Sequence, residues 1–391
     1  MSRVDGRVVF VRHALPGERV VAVVTEVTRS FCRADAVDVL DPAPDRVPQP
    51  CPFARPELCG GCDLQHATAS AQLAWKAAVV REQLARLAGL VDVEVPVAPL
   101  PGGLLGWRSR VRYAVSDSGV PGLRRHRSHE VVPIDRCLIA HPAIQALDVL
   151  ARRWPGEDSV TAVASSGGDV TVLASGRVAG GPARVRERAV SREWTVDAAA
   201  FWQVHPYAPD TLADAVRELL DPEPGDHVWD LYGGAGLFAA ALAPAVAAVT
   251  LVEADRRSVA AARRNLRDLP GVRVVSGWVE RALRRLPVPD LVVLDPPRAG
   301  AGAAVVRAIV AAAPRAVAYV ACDPAALARD VGTFRTLGWR LVALRAYDMF
   351  PMTQHVECVA LLTPEDADRR DRTAWRRVGP AGRTGRYTRP S

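Results

Sequence analysis

Arg315-Ala-Val-Ala-Tyr-Val-Ala-Cys322-Asp323-Pro324 is an apolar run of strand composition that stops at a cysteine. The proline two residues later opens a helical segment. A short buried strand feeding a helix decides the fold if it recurs, and here it does. From Pro224-Gly225 onward, strand-like segments at 226–231, 249–253, 272–276, 290–295 and 315–321 are each followed by a helical one. Segments 340–346 and 355–362 close the series. Five βα units and a terminal hairpin predict an α/β, doubly wound sheet with one antiparallel strand. Ligands of such a sheet bind beyond the carboxyl ends of its strands, where strand order reverses.

The residues at those ends carry chemistry. After the first strand stands Asp230-Leu-Tyr232-Gly233-Gly234-Ala-Gly236-Leu-Phe, whose glycines bring backbone amides close to a ligand at a helix N-terminus. Glu253 ends the second strand about twenty residues on, where a carboxylate can accept hydrogen bonds from a ribose. The combination fits a dinucleotide or S-adenosylmethionine. The fourth strand ends in Asp295-Pro-Pro-Arg298, where two prolines stiffen the loop and remove two donors. The fifth ends in Cys322. If the last strand runs antiparallel and inserts beside the fifth, Glu357 lies next to Cys322, and Cys358 faces the other side.

A cysteine, a carboxylate and a methyl donor suggest one reaction class. Thiolate addition to C6 of a uracil makes C5 nucleophilic enough to take a methyl group, and a carboxylate base then removes the C5 proton. The base must be flipped out of its stack or presented in a loop.

Upstream, residues 1 to about 45 read as short strands that fit most of a small oligonucleotide-binding barrel lacking one leading strand. A proline-rich linker follows, then Cys51-Pro-Phe-Ala-Arg-Pro-Glu-Leu-Cys59-Gly-Gly-Cys62. Three thiols in a dozen residues, two of them with C-x2-C spacing, predict a metal site. Cys137 is the best candidate for a fourth ligand, and four thiolates suit zinc or an iron–sulfur cluster equally. Residues 69–90 read as an amphipathic helix ended by Gly89, with Leu73, Lys76-Ala-Ala-Val-Val80, Leu84 and Leu87 at helical spacing. From Trp107 to about Thr195 the pattern returns to strands. In Trp107-Arg-Ser-Arg-Val-Arg-Tyr113, arginines alternate with aromatic and apolar residues; this suits either a surface that follows phosphates and stacks on bases or a solvated sheet face.

The chain has 391 residues, a net charge of +7 and seven cysteines, which permits two or three domains and a polyanionic partner. The cysteine clustering argues for metal or catalysis in a cytoplasmic protein rather than for disulfides. No apolar run reaches the roughly 20 residues of a membrane helix. Lys76 is the only lysine, and arginine supplies the remaining basic charge; codon bias accounts for that without a mechanism.

Phe201-Trp-Gln203, Asp230-Leu-Tyr-Gly-Gly-Ala-Gly236, Asp295-Pro-Pro-Arg298, the segment from Tyr319 through Cys322 to Asp330, and Asp348-Met-Phe-Pro-Met-Thr-Gln-His-Val-Glu357 together resemble the RNA (uracil-5)-methyltransferases acting on 23S rRNA or tRNA. The resemblance covers nearly the whole chain except the tail. It implies a class I S-adenosylmethionine-dependent methyltransferase domain over 196–363. Residues 1–46 would be a TRAM, RNA-binding domain and 47–195 a central iron–sulfur domain. A basic tail would occupy 364–391. Cys322 would be the nucleophile and Glu357 the base; Gln203, Tyr232, Gly234, Glu253 and Asp295 would contact S-adenosylmethionine. Cys51, Cys59, Cys62 and Cys137 would hold a [4Fe–4S] cluster, which favours iron–sulfur over zinc. RNA is the expected partner of a monomeric protein.

The chain departs from this family at Gly233 and Leu237, where Cys and Asn are usual, and at Asp323, where Asn is usual. Leu237 is expected to remove a polar cofactor contact, and Asp323 to raise the pKa of Cys322 by like charge. Two other readings are a methyltransferase acting on an amino nitrogen, which would need no Cys–Glu pair, and an RNA-binding or assembly protein with a degenerate catalytic domain.

Overall fold

The computed structural model describes residues 2–4 and 6–365; most of the predicted tail lies outside them. The alternation read from Gly225 onward becomes an eight-stranded sheet. Its order is Val272–Ser276, Ala248–Glu253, His227–Leu231, Leu291–Leu294, Ala316–Ala321, Glu357–Pro364, Trp339–Asp348 and Val97–Pro99. The first five of these pair in parallel, and Glu357–Pro364 runs antiparallel between its two neighbours. Strand order reverses between His227–Leu231 and Leu291–Leu294, so the Asp230 and Asp295 loops meet there. The middle strands read as continuous apolar runs because helices cover both faces.

Val97–Pro99 was not anticipated. It comes from the upstream region and pairs in parallel with Ala346–Asp348 at the outer edge. Three residues of ordinary composition carry no strand signal of their own, and only the waiting edge makes them one.

The predicted helix at 69–90 is α-helical over Ala69–Gln83, ends in a π-turn over Leu84–Ala88, and is capped by Gly89 in the left-handed region. Its buried face is the expected one only in part: Lys76, Val80 and Leu84 are buried, but Leu87 is exposed. Gln72 and Lys76 are buried with Ala71 and Val80, whereas Leu73 is only partly buried and Val79 is exposed.

The N-terminal residues form an open four-stranded sheet, ordered Ser2–Val4, Arg7–Arg12, Phe31–Asp41, Arg19–Val27. Arg7–Arg12 pairs in parallel with Phe31–Asp41, and the Arg19–Val27 strand is a largely exposed edge, as an incomplete barrel lacking a strand requires. A central six-stranded sheet contains Arg110–Val115 and Ser159–Ala164. In the core beside it, Trp107 and Tyr113 are 3% and 2% exposed, and Arg110 pairs with buried Glu187 at 3.2 Å. These aromatic rings fill core and do not offer a stacking surface, which corrects the base-stacking alternative.

Candidate active site

The antiparallel register pairs Val317 with Leu362 and Ala321 with Cys358. One step further sets Cys322 opposite Glu357. The inserted strand supposed from sequence is therefore present. Adjacent side chains of a strand alternate in direction, so Cys358 fills core while Glu357, 4% exposed, lies on the opposite face. Cys322 is half-buried. Burial, then the charges of Glu357 and Asp295, push its thiol up to about 11, and Arg298 opposes them by charge and a hydrogen bond. Burial and the Asp295 charge likewise hold Glu357 well above the usual carboxylate range, again opposed by Arg298.

Asp323 does not act as expected. Its side chain turns away to cap the helix Pro324–Thr336, accepting from Ala326 N at 2.8 Å. The like charges acting on Cys322 are Glu357 and Asp295 instead.

Asp295 is half-buried, and burial pushes its carboxyl up to about 7. The loop after it is anchored from below: Tyr319 Oη and Ala301 N both donate to Asp330 Oδ2, at 2.6 and 2.8 Å. Gly300 takes a φ of +88°, and a Cβ there would meet Asp330 Oδ2 at 2.7 Å, so only glycine fits this approach. Arg298 emerges from the anchored loop with Nη2 at 2.9 and 3.2 Å from the ring nitrogens of His355. Arg298 and His355 lie inside sequence motifs, but their pairing spans 57 positions and carries no local signal.

At the first strand, Tyr232 turns through a φ of 60°. Gly234 N donates to Glu253 Oε2 at 2.9 Å and Asp255 N to Oε1 at 2.7 Å. Each oxygen keeps acceptor capacity for a further donor. Asp230 is fully buried: Oδ2 accepts from Ala239 N at 2.9 Å, while Oδ1 is buried with no partner. Burial, then the charges of Asp295 and Glu253, push it up to about 7 against that one hydrogen bond. An orphaned acceptor among three carboxylates suits a ligand that brings positive charge and donors. Sequence reading left Asp230 without a role.

The two unusual residues here have packing reasons. A Cβ at Gly233 would lie 2.5 Å from Leu251 Cγ, and Leu237 is buried in the core that covers one face of the sheet. Leu237 thus fills core where a polar contact was expected to be lost.

Gln203 follows Trp202, which is buried against Trp194 at 5.4 Å between ring centres, and precedes Val204, whose carbonyl accepts from Ser109 N and Oγ at 2.8 and 2.9 Å. From that segment an aromatic row leads inward: His205 stacks on Trp107, Trp107 meets Phe350 edge-on, and Phe350 meets His355. The row links the Gln203 segment to Arg298 and its neighbour Cys322.

Cys51, Cys59, Cys62 and Cys137 are all buried and unbridged. They line one cavity together with Phe53, Leu123 and Ile134. Burial pushes the Cys59 and Cys62 thiols up to about 11 and about 12. Among the described residues no group of three or more His, Cys, Asp or Glu is gathered closely enough to hold a metal ion. A Cβ on Gly60 would meet His126 N at 2.5 Å, so the backbone at Arg125–His126 lies directly on the C-x2-C loop.

Residues 283–365 match the family model of tRNA (uracil-5-)-methyltransferases, residues 1–37 a TRAM domain, and residues 208–319 a methyltransferase small domain. An uncharacterized RNA methyltransferase of Streptomyces coelicolor is 48% identical over 405 residues, covering 92% of this chain and 88% of that protein. The 23S rRNA (uracil(1939)-C(5))-methyltransferase of Methylococcus capsulatus is 33% identical over 423 residues, covering 92% of this chain and 93% of that protein. The chain belongs to the RNA (uracil-5-)-methyltransferase family. The solved structure of the Pyrococcus abyssi tRNA (uracil-54, C5)-methyltransferase, in complex with S-adenosyl-L-homocysteine, superposes with a TM-score of 0.71 at 25% identity, covering 91% of this chain and 95% of that one. Members of this family are enzymes that take their methyl group from S-adenosylmethionine. Among the described residues no helix is long and apolar enough to cross a membrane.

Proposed function

We propose that this enzyme methylates C5 of a uridine in structured RNA, with Cys322 as nucleophile and Glu357 as base, and that its substrate is 23S rRNA. The observation that carries the reading is the register opposing Cys322 to Glu357 above the Asp295 loop. Gln203, Tyr232, Gly234, Glu253 and Asp295 are the proposed contacts of S-adenosylmethionine, and the unpartnered Oδ1 adds Asp230 to them. When bound, S-adenosylmethionine supplies an electrophilic methyl group on a positively charged sulfur.

Cys322 must lose its proton before it acts, and Arg298 is the cation that favours the thiolate. Its Sγ forms a bond to C6 of the flipped-out uracil, the C5–C6 π electrons move toward O4, and C5 becomes the nucleophile that accepts the methyl group. Glu357 then removes the C5 proton. That electron pair re-forms the C5–C6 double bond, the Sγ–C6 bond breaks, and Cys322 departs as thiolate. A carboxylate whose affinity for protons is raised by burial is a stronger base for this step than one in water.

Cys51, Cys59, Cys62 and Cys137 are proposed to hold a [4Fe–4S] cluster. Their support is four buried, unbridged thiols lining one cavity; the preference for iron–sulfur over zinc rests on the family resemblance. The 23S rRNA assignment rests on the Methylococcus relative. Mapping 5-methyluridine in rRNA and tRNA of a deletion strain tests it: loss of one rRNA methyl with tRNA unchanged is expected, and loss from tRNA alone overturns it. Cys322→Ala is expected to abolish methylation and covalent trapping by 5-fluorouridine RNA. Methylation by that variant would overturn the chemistry.

A further inference from the structure

Lys76, the chain's only lysine, is 2% exposed. Its Nζ donates to Asp348 Oδ1 at 2.5 Å and to Phe350 O at 3.1 Å. One helical turn earlier on the same buried face, Gln72 accepts from Met352 N at 2.9 Å and donates to Ala67 O at 3.0 Å. Ahead of the helix, Asp63 N and Leu64 N both donate to Met352 O at 3.0 Å, and Asp63 Oδ2 accepts from Gln354 N at 3.4 Å. One segment, 63–76, thus grips the end of the strand Trp339–Asp348 and the turn after it at alternate residues 348, 350, 352 and 354. That turn leads directly into Glu357.

Two further features separate this grip from ordinary packing. The helix turns glutamine and lysine inward while Val79 stays 45% exposed, an arrangement that forfeits apolar burial. Met352 takes a φ of 68°, a conformation uncommon for any residue with a Cβ, and both its amide and its carbonyl are bound by this segment. Asp63 Oδ1 also accepts from Arg12 Nη2 of the N-terminal sheet at 3.2 Å. The geometry points to Lys76, Gln72 and Asp63 as positioning residues for the catalytic base: they fix the turn 348–356 so that Glu357 faces Cys322. This inference rests on the reading of Glu357 as base.

The base acts only after the Sγ–C6 bond has formed and the methyl has moved. A displaced base therefore leaves enzyme and RNA joined, whereas general loosening lowers adduct and turnover together. The test uses the full-length enzyme with unmodified substrate RNA and S-adenosylmethionine. It measures kcat, KM for RNA, and the fraction of enzyme attached to RNA on a denaturing gel. Lys76→Met combined with Asp348→Leu removes both charges, so neither is left buried alone. Asp63→Ala tests the same grip at a partly exposed position. Each variant is expected to lose about tenfold or more in kcat, the scale of a small displacement of a catalytic group, with KM for RNA unchanged and adduct accumulating. Lys76→Arg is expected to shift in the same direction, because a guanidinium needs more room than an ammonium. Wild-type turnover in the folded double variant, or reduced turnover without adduct in Asp63→Ala, overturns the inference. Glu357→Gln in an otherwise unchanged enzyme is the reference: absence of adduct there overturns Glu357's own role and leaves the packing of segment 63–76 a separate matter.

Discussion

Replacing Asp230 by Asn isolates the electrostatic cost of preparing the cofactor site. Burial pushes this carboxyl from 3.8 to about 7. Between those values the native protein holds a proton that the unfolded chain has released, so stability is fully present below about pH 4 and declines as pH rises to about 7. Linkage over that window gives a loss of about 2–3 kcal/mol for wild type between about pH 5 and about pH 8. Asparagine does not titrate. Its carbonyl oxygen can accept from Ala239 N as Oδ2 does now, and its amide takes the place of the unpartnered Oδ1. The stability of D230N relative to wild type should therefore grow by about 2–3 kcal/mol from about pH 5 to about pH 8, several degrees of melting temperature. Asp295 raises Asp230 by charge, so losing the Asp230 charge also eases Asp295 ionisation and adds to the gain of D230N at high pH with the same sign. Differential scanning fluorimetry of donor-free protein over a pH series measures the difference. Adding S-adenosylmethionine should stabilise wild type more than D230N at high pH, since the bound positive charge relieves the same carboxylate. A difference that stays constant with pH, or has the opposite sign, refutes the reasoning. Stability gained at the expense of ligand binding is the usual trade at a prepared site.

Because the Cys322 thiol is held near 11, the single-turnover methylation rate should rise close to tenfold per pH unit from about pH 6 to about pH 9; a flat profile counts against thiolate formation as the limiting event. Arg298→Ala removes the cation that opposes this shift and should move the same profile to more alkaline pH, with His355→Ala changing it less. Gly233→Ala forces a Cβ to within 2.5 Å of Leu251 Cγ, an overpacking expected to cost about 1–3 kcal/mol; thermal melts of Gly233→Ala and of Gly233→Ala with Leu251→Ala should show recovery in the pair. Purified protein should carry visible absorbance with iron and sulfide in stoichiometric amounts, and Cys62→Ser should lose both and melt earlier; a colourless protein with one zinc per chain would displace the iron–sulfur assignment.

The residues at strand ends were legible because buried parallel strands announce themselves as apolar runs and their ligands gather at one edge. Asp230, Asp295, Cys322 and the acidic partner of the glycine loop could be placed on that edge from periodicity alone. The clustered thiols were legible because C-x2-C spacing is local. Sequence motifs also contained Arg298 and His355, yet their roles depend on a contact between two loops, which no spacing rule encodes. The expected influence of Asp323 on Cys322 failed for a related reason. Adjacency in sequence suggested like-charge proximity, while helix capping turned that carboxylate elsewhere.

What the chain by itself determined is the repeating strand–helix unit, the order of the chemistry along it and the family to which it belongs. Local propensity and hydrophobic period carry that information residue by residue. Only the tertiary structure decided that the last strand inserts to oppose Glu357 to Cys322, that Val97–Pro99 completes the sheet, that Trp107 and Tyr113 are core, and that a lone lysine attributable to codon bias is buried against Asp348. Each of these depends on partners far apart in the chain. Burial turns such a pairing into a strong energetic term, because an unpaired charge or donor in the interior costs far more than one in water.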